Sequence, residues 1–107
     1  KEIILPDNMK YLPDNAFYSC CSLEEIIIPD EVESIGESAF DGCELLESIV
    51  IPKGVTEMGA TVFNHTDNIT VYCEAESKPQ GWDDEWDTIY SEDGNKKVDV
   101  IWGYKGD

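Results

Sequence analysis

Basic residues are scarce in this sequence. Lys and Arg number 7 against 24 Asp and Glu in 107 residues, so the formal net charge at neutral pH is −17. Nucleic acids and anionic membrane surfaces bind proteins through Lys and Arg that neutralise phosphates. The composition therefore argues against both as partners, and it favours either a strongly solvated surface or a cationic partner.

Long apolar runs, histidine and enzyme motifs are also missing or rare. No apolar stretch approaches the roughly 18 residues that a membrane span needs, so membrane insertion is not expected. His65 is the only histidine, and the chain contains no nucleophile elbow, zinc-protease motif or phosphate-binding loop. Carboxylate pairs occur throughout so acidic a chain, so none of them marks a glycosidase. We therefore expect a protein that is not an enzyme and that has no cofactor or bound metal.

The sequence does contain an internal repeat with a period of 23 residues. The unit reads L-x-x-I-x-I-P-x-x-V-x-x-I-G-x-x-A-F-x-x-C-x-x. Members of the repeated positions lie 23 apart: Pro6, Pro29 and Pro52; Phe17, Phe40 and Phe63; Cys20 and Cys43; Gly36 and Gly59. A repeated unit of this size buries its apolar face only by stacking on neighbouring units, so the pattern predicts a solenoid.

The repeats divide the chain into two parts. Residues 23–45 and 46–68 are complete units, and 1–22 lacks the leading Leu. We expect 1–68 to form three repeats, the first incomplete, and 69–107 to form a C-terminal cap of the same domain. The incomplete first unit suggests a longer parent protein.

Each position of the unit has a structural interpretation. Ile26 and Ile28 alternate as a short strand with both side chains inward, and Pro29 ends it because it cannot donate to a ladder. Gly36 suits a tight turn, and 39–43 fits a short helical or 3₁₀ turn. We expect the strands, near 3–5, 26–28, 49–51 and 71–73, to form one parallel sheet, and the Phe side chains to stack in a column.

The period breaks after Asn68. Trp82, Trp86 and Ile89 fall on one face of a short helix predicted within 78–90. A likewise predicted strand within 98–104 places one set of alternating side chains on the same side: Val98, Val100, Trp102 and Tyr104. A solenoid end needs an apolar cover, and the tryptophans provide one. A sugar-stacking platform built from them is the alternative.

These residues resemble the BspA-type leucine-rich repeat, most clearly in "LEEIIIPDEVESIGESAFDGC" (23–43) and "LESIVIPKGVTEMGATVF" (46–63). The resemblance implies an α/β leucine-rich-repeat solenoid, with a short parallel sheet, 3₁₀ or short-helix turns on the other face, and a C-terminal cap. It also implies a non-catalytic, protein-binding module of a bacterial cell-surface or secreted protein, used for adhesion or host-protein binding. A purely structural terminal cap of a longer array is the alternative. The third unit departs from the family pattern at Val62 and Thr66.

An exposed apolar ladder is expected on the outer face of the sheet. If Ile26 and Ile28 face the core, Ile27 faces out, and its equivalents are Ile4 and Val50. In the cap, the spacing from Ile69 to the inward Val71 is one residue shorter than in the repeats, so the next outward residue is Tyr72. We expect this ladder and the glutamates beside it to bind a host or cell-surface protein. The expected binding residues are Ile4, Ile27, Val50, Tyr72, Glu25 and Glu47. Ordinary strand propensity on a sheet surface explains the same residues without binding.

Four cysteines allow three disulfide pairings. Cys20 and Cys43 share one repeat position, so we expect both to be buried free thiols. Coils about 4.8 Å apart lie within disulfide range, so a bridge between them stays open. Cys21 is expected to be exposed and Cys73 to point inward. No zinc site is expected, because no C-x-x-C spacing exists.

The first repeat leaves an apolar end. With no earlier coil before it, the strand near 3–5 would be an open edge over an apolar end that contains Ile3, Leu5, Leu12 and Phe17. We expect weak homodimers to form through this end, favoured by added salt because salt screens the negative charge.

Overall fold

The computed structural model describes residues 2–66, 68–90 and 94–105, with side chains from Leu5 onward. Within these residues the chain forms short strands and turns, and no helix. The strands are β1 (Glu2–Ile4), β2 (Tyr11–Leu12), β3 (Glu25–Ile27), β4 (Ser34–Ile35), β5 (Ser48–Ile51), β6 (Glu57–Met58), β7 (Thr70–Cys73), β8 (Thr88–Ile89), β9 (Lys96–Lys97) and β10 (Asp99–Trp102).

The first side of the solenoid, which we call the sheet side, carries β1, β3, β5, β7 and β10 in that order. β1 pairs with β3, and β7 pairs with β5 and β10, all in parallel. β3 lies beside β5, but the two belong to separately hydrogen-bonded sheets. The predicted parallel strands are therefore confirmed, with the correction that they form two sheets that meet at a seam.

A second side consists of β2, β4 and β6, which pair in parallel and which the sequence analysis did not predict. Met58 of β6 forms a further parallel bridge to Trp82. The Gly36 N–H donates to the Leu12 carbonyl (2.8 Å) and the Gly59 N–H to the Ile35 carbonyl (2.9 Å). Each coil is thus bonded to the next along two sides.

The third side, the turn side, was predicted to contain 3₁₀ or short-helical turns; the described residues form turns there and no helix, so the helical part of that prediction is not confirmed. The Phe17 N–H donates to the Ala39 carbonyl (2.8 Å) and the Phe40 N–H to the Val62 carbonyl (2.9 Å). Ser38 (φ 58°) and Thr61 (φ 52°) occupy the left-handed region, which turns the chain there. A helix would direct these N–H groups to its own carbonyls; here they bond the following coil instead.

The repeated glycines are required by close stacking. Gly36 and Gly59 are not among the residues with positive φ, so the predicted tight turn is not what selects them. A Cβ at Gly59 would lie 2.5 Å from the backbone nitrogen of Glu37, and a Cβ at Gly36 would collide with the backbone of Asp14. The preceding coil therefore excludes any side chain at these two positions.

An aromatic column runs through the core. The rings of Phe17 and Phe40 are stacked with centroids 5.4 Å apart, and those of Phe40 and Phe63 are 5.7 Å apart. This confirms the predicted column. Trp86, a further 23 residues along the chain, continues it with an edge contact to Phe63 at 6.3 Å.

The beginning of the cap is a modified fourth coil. The predicted helix within 78–90 is absent: β8 pairs antiparallel with β9, and turns precede it. The Thr61 N–H donates to the Glu85 carbonyl (2.9 Å), and the Asp83 N–H donates to the Met58 carbonyl (2.8 Å). This segment therefore stacks on the third repeat in the same way as one repeat stacks on another. Trp82, Trp86 and Ile89 are nevertheless all buried, as the apolar spacing indicated.

All four cysteines are free thiols. Cys43 and Cys73 are buried and Cys21 is exposed, as expected, whereas Cys20 is only partly buried. The reason is that Cys20 lies in the first of the described coils and has a described neighbouring coil on one side only. Thr66, at the equivalent position, donates its hydroxyl to the Phe40 carbonyl (2.7 Å), just as the Cys43 Sγ donates to the Phe17 carbonyl (3.2 Å). The position thus accepts a small side chain that can donate a hydrogen bond.

We expect the thiols to differ sharply in reactivity. Burial raises the pKa of Cys43 to about 12 and that of Cys73 to about 12. Only the thiolate reacts with disulfide reagents, so both thiols should stay protonated and protected in native protein from about pH 8 up to about pH 11. Cys21 should react quickly, and all four should react after unfolding. Mass spectrometry of labelled peptides identifies the sites; fast native labelling at Cys43 would show that its coil is open.

The N-terminal end of the first coil is partly open among the described residues. Five apolar residues there are only partly buried: Leu5, Met9, Ala16, Phe17 and Cys20. The side chain of Ile3 lies outside the described residues. The carbonyls of Asp14, Ala16 and Tyr18 accept no backbone N–H among the described residues, whereas the equivalent carbonyls of the second coil, those of Glu37, Ala39 and Asp41, each accept one. The homodimer stays a prediction.

Candidate binding surface

The outward positions of the sheet side lie where the sequence predicted them. On β3 the side chain of Ile27 is 66% exposed, whereas Ile26 is buried. Val50 on β5 is half-buried and pairs in register with Tyr72 on β7, which is also half-buried. The backbone of Ile4 pairs with Ile27, but the side chain of Ile4 lies outside the described residues.

Two further residues extend this surface, and the sequence analysis missed both. Ile101 on β10 pairs in register with Tyr72 and is 46% exposed. The ring of Tyr104 lies 4.9 Å from the ring of Tyr72. Tyr104 was predicted to face inward; the positive φ of Gly103 (72°) ends the alternation and places Tyr104 beside Tyr72. The sequence showed the alternation of side chains on both sides of Ile101, but it did not show that Ile101 pairs with Tyr72.

We call the exposed set the apolar row: Ile27, Val50, Tyr72, Ile101 and Tyr104. A polar row lies beside it, two residues earlier on each strand: Glu25, Ser48, Thr70 and Asp99. Glu25 and Glu47 are both exposed, as expected for residues that flank the ladder. None of these strands carries a basic residue. The sheet side therefore combines an apolar row with an acidic border.

A groove opens at the seam between β3 and β5. Its volume is about 420 Å³, and its lining includes Ile27 and Val50 together with the carboxylate residues Glu25, Asp30 and Glu74. The groove coincides with the place where the two sheets are not hydrogen-bonded to each other. A long side chain from a partner can therefore enter the surface here.

The cap tryptophans do not form a sugar-binding platform. Trp82 and Trp86 are each 2% exposed, and their rings meet edge to face at 4.8 Å. The Trp82 Nε1–H donates to the Val55 carbonyl (3.1 Å), and the Trp102 ring lies 5.7 Å from Trp82. Stacking on a sugar needs an open ring face, so burial contradicts the carbohydrate alternative. The three indoles pack against one another, and Trp86 contacts Phe63 of the aromatic column.

The remaining polar chemistry of the described residues is structural. His65 Nδ1 contacts the Asp41 carboxylate at 2.9 Å on the turn side. No group of three or more potential metal ligands occurs among the residues with described positions. In the same part of the chain, no helix has the length and apolarity to cross a membrane.

Short parallel strands stacked every 23 residues, with an aromatic column and a closed C-terminal end, define a leucine-rich-repeat solenoid. The family described as "BspA type Leucine rich repeat region (6 copies)" matches residues 1–77. The chain belongs to this BspA-type family, whose repeats serve protein interaction and are generally non-catalytic. Its members are typically surface proteins. Neither the curated proteins nor the solved structures gave a match.

Proposed function

We propose that this chain is a non-catalytic adhesion or host-protein-binding module of a cell-surface or secreted protein, and that it contacts its partner through the apolar row. The observation that carries the proposal is the outward placement of Ile27 and Ile101, which are 66% and 46% exposed, in one surface with the paired rings of Tyr72 and Tyr104. A contiguous apolar surface bordered by polar residues is typical of interaction sites.

The structural alternative is that the chain only closes the end of a longer array. The buried tryptophans support an end-closing role, but that role leaves the exposed row without a purpose. The proposal and the alternative therefore differ in what happens when the row is changed and the core is left intact.

Replacing Ile27 and Val50 together by Lys (Ile27→Lys/Val50→Lys) should abolish partner binding. Two Lys side chains would replace apolar contact area of the row, and their ammonium groups would have to be desolvated at the interface, which costs free energy. The measurement is surface plasmon resonance of the immobilised domain against a panel of purified matrix and plasma proteins. The melting temperature should change by only about 2–4 °C, since Ile27 is exposed and Val50 only half-buried, and substitutions at the surface usually alter stability by less than about 0.5 kcal/mol.

The matched control is Tyr18→Lys/Leu45→Lys. These residues are 57% and 51% exposed, lie outside the strands of the sheet side, and change the net charge by the same amount. The control should bind like the unmodified protein. Equal loss in both variants, or no binding by the unmodified domain to any member of the panel, would contradict the proposal. A large fall in melting temperature in the Ile27 and Val50 variant would place these residues in the core.

A further inference from the structure

The seam groove has walls and borders of different chemistry. Ile27 and Val50 contribute apolar side chains from β3 and β5, whereas Glu25, Asp30 and Glu74 contribute carboxylates. β5 and β7 pair over four residues, and β1 and β3 over three, so the unpaired seam is a local feature of the sheet side. An occupant must therefore offer both apolar surface and groups that satisfy negative charge.

Within the described part of the chain, no Lys side chain forms an ion pair with the carboxylates at the groove. Among the described residues, the Lys side chains that form ion pairs are Lys10, Lys78 and Lys97, and their partners are Glu31, Asp84 and Asp87. Glu74 accepts the Lys53 backbone N–H (3.0 Å), which adds no positive side chain. Glu25 and Asp30 are exposed. The groove lining therefore contains three carboxylates and no basic side chain among the described residues.

We propose that the partner presents a segment with an apolar stripe flanked by Lys or Arg, and that one long basic side chain of this segment occupies the seam groove. This inference rests on the proposed function. The aliphatic stem of Lys or Arg packs on apolar walls while its charged end remains at a polar border, and bonds from such a group to carboxylates are stronger than neutral ones. An anionic segment would be repelled by the same carboxylates, because the charges have the same sign.

A displayed library of random peptides selected on the immobilised domain tests this directly. The selected peptides should be enriched in Lys or Arg next to apolar residues, and their binding should be lost on Ile27→Ser/Val50→Ser. Their affinity, measured by fluorescence anisotropy, should fall about five- to tenfold on Glu25→Gln/Asp30→Asn, since each exposed ion pair contributes modestly. It should also fall as salt is raised.

The matched control is Glu37→Gln/Glu44→Gln, which removes the same charge from two exposed residues outside the groove lining. It should leave peptide affinity within about twofold. Equal weakening by both double variants would show attraction to the net charge alone and would overturn the groove proposal.

The remaining outcomes separate this inference from the proposed function. Peptides that need Ile27 and Val50 but lack basic residues would overturn the charge inference and leave the apolar row as the contact surface. Peptides unaffected by Ile27→Ser/Val50→Ser, or failure to select any peptide, would overturn both.

Discussion

Gly59→Ala should destabilise the domain by about 3 kcal/mol, since a forced fit in a packed structure typically costs 1–3 kcal/mol and occasionally more. The added Cβ would lie 2.5 Å from the Glu37 nitrogen and 2.7 Å from the Glu37 Cα. Both are backbone atoms of the preceding coil, so neither can move aside without disturbing the stack. The melting temperature in thermal denaturation followed by circular dichroism should fall by about 10–15 °C.

Gly54→Ala is the matched control, because it adds the same methyl group to another glycine without positive φ. Its Cβ would lie 3.4 Å from the Asp30 carbonyl oxygen, which is close to ordinary contact. We expect a change of less than about 0.5 kcal/mol, or slight stabilisation through the lower entropy of the unfolded chain. Similar melting temperatures for the two variants would mean that the coils are not stacked as closely at Gly59 as described.

Trp86→Ala should have the largest effect on stability, about 3–5 kcal/mol, which is the usual range for a buried aromatic residue. Trp86 is 2% exposed, and its ring contacts those of Phe63, Trp82 and Trp102. Removing it leaves a cavity at the point where the cap closes the core. Chemical denaturation should show a midpoint lowered accordingly, and a domain near the lower end of the usual range of about 5–15 kcal/mol would then be only marginally folded.

The opposite end of the same column supplies the comparison. Phe17 stacks on Phe40 at 5.4 Å but is only partly buried. Phe17→Ala should therefore destabilise the domain about half as much as Trp86→Ala, because folding buries less apolar side-chain area at Phe17. If Trp86→Ala were the milder of the two, the C-terminal segment would not be acting as the cover of the core.

The cap also contributes to the candidate binding surface. β10 pairs with β7 and places Ile101 beside Tyr72, while Trp102 of the same strand contacts Trp82 and Trp86. One strand thus presents alternate side chains to the core and to the apolar row. Part of the row therefore depends on the packing of 69–107, so the proposed binding surface should weaken if that packing is lost.

The 23-residue period alone determined much of this protein. It indicated the parallel strands, the Phe column and the outward positions of Ile27 and Val50, because residues at one repeat position meet the same neighbours in each coil. It also identified the shorter step into the cap, and the pairing of Val50 with Tyr72 confirms that step. These features follow from local alternation and spacing, which a sequence displays directly.

Other features were decided only by contacts between coils. Segments such as 36–43 have apolar spacing that suits a helical turn, but the N–H groups of Ser38, Phe40 and Gly42 donate to carbonyls of the next coil, so the tertiary stack overrides the local preference. Trp86 lies 23 residues after Phe63, yet only the stack shows that it continues the column instead of belonging to a helix. The seam groove and the places of Ile101 and Tyr104 depend on which strands pair and where Gly103 turns, and no single segment contains that information.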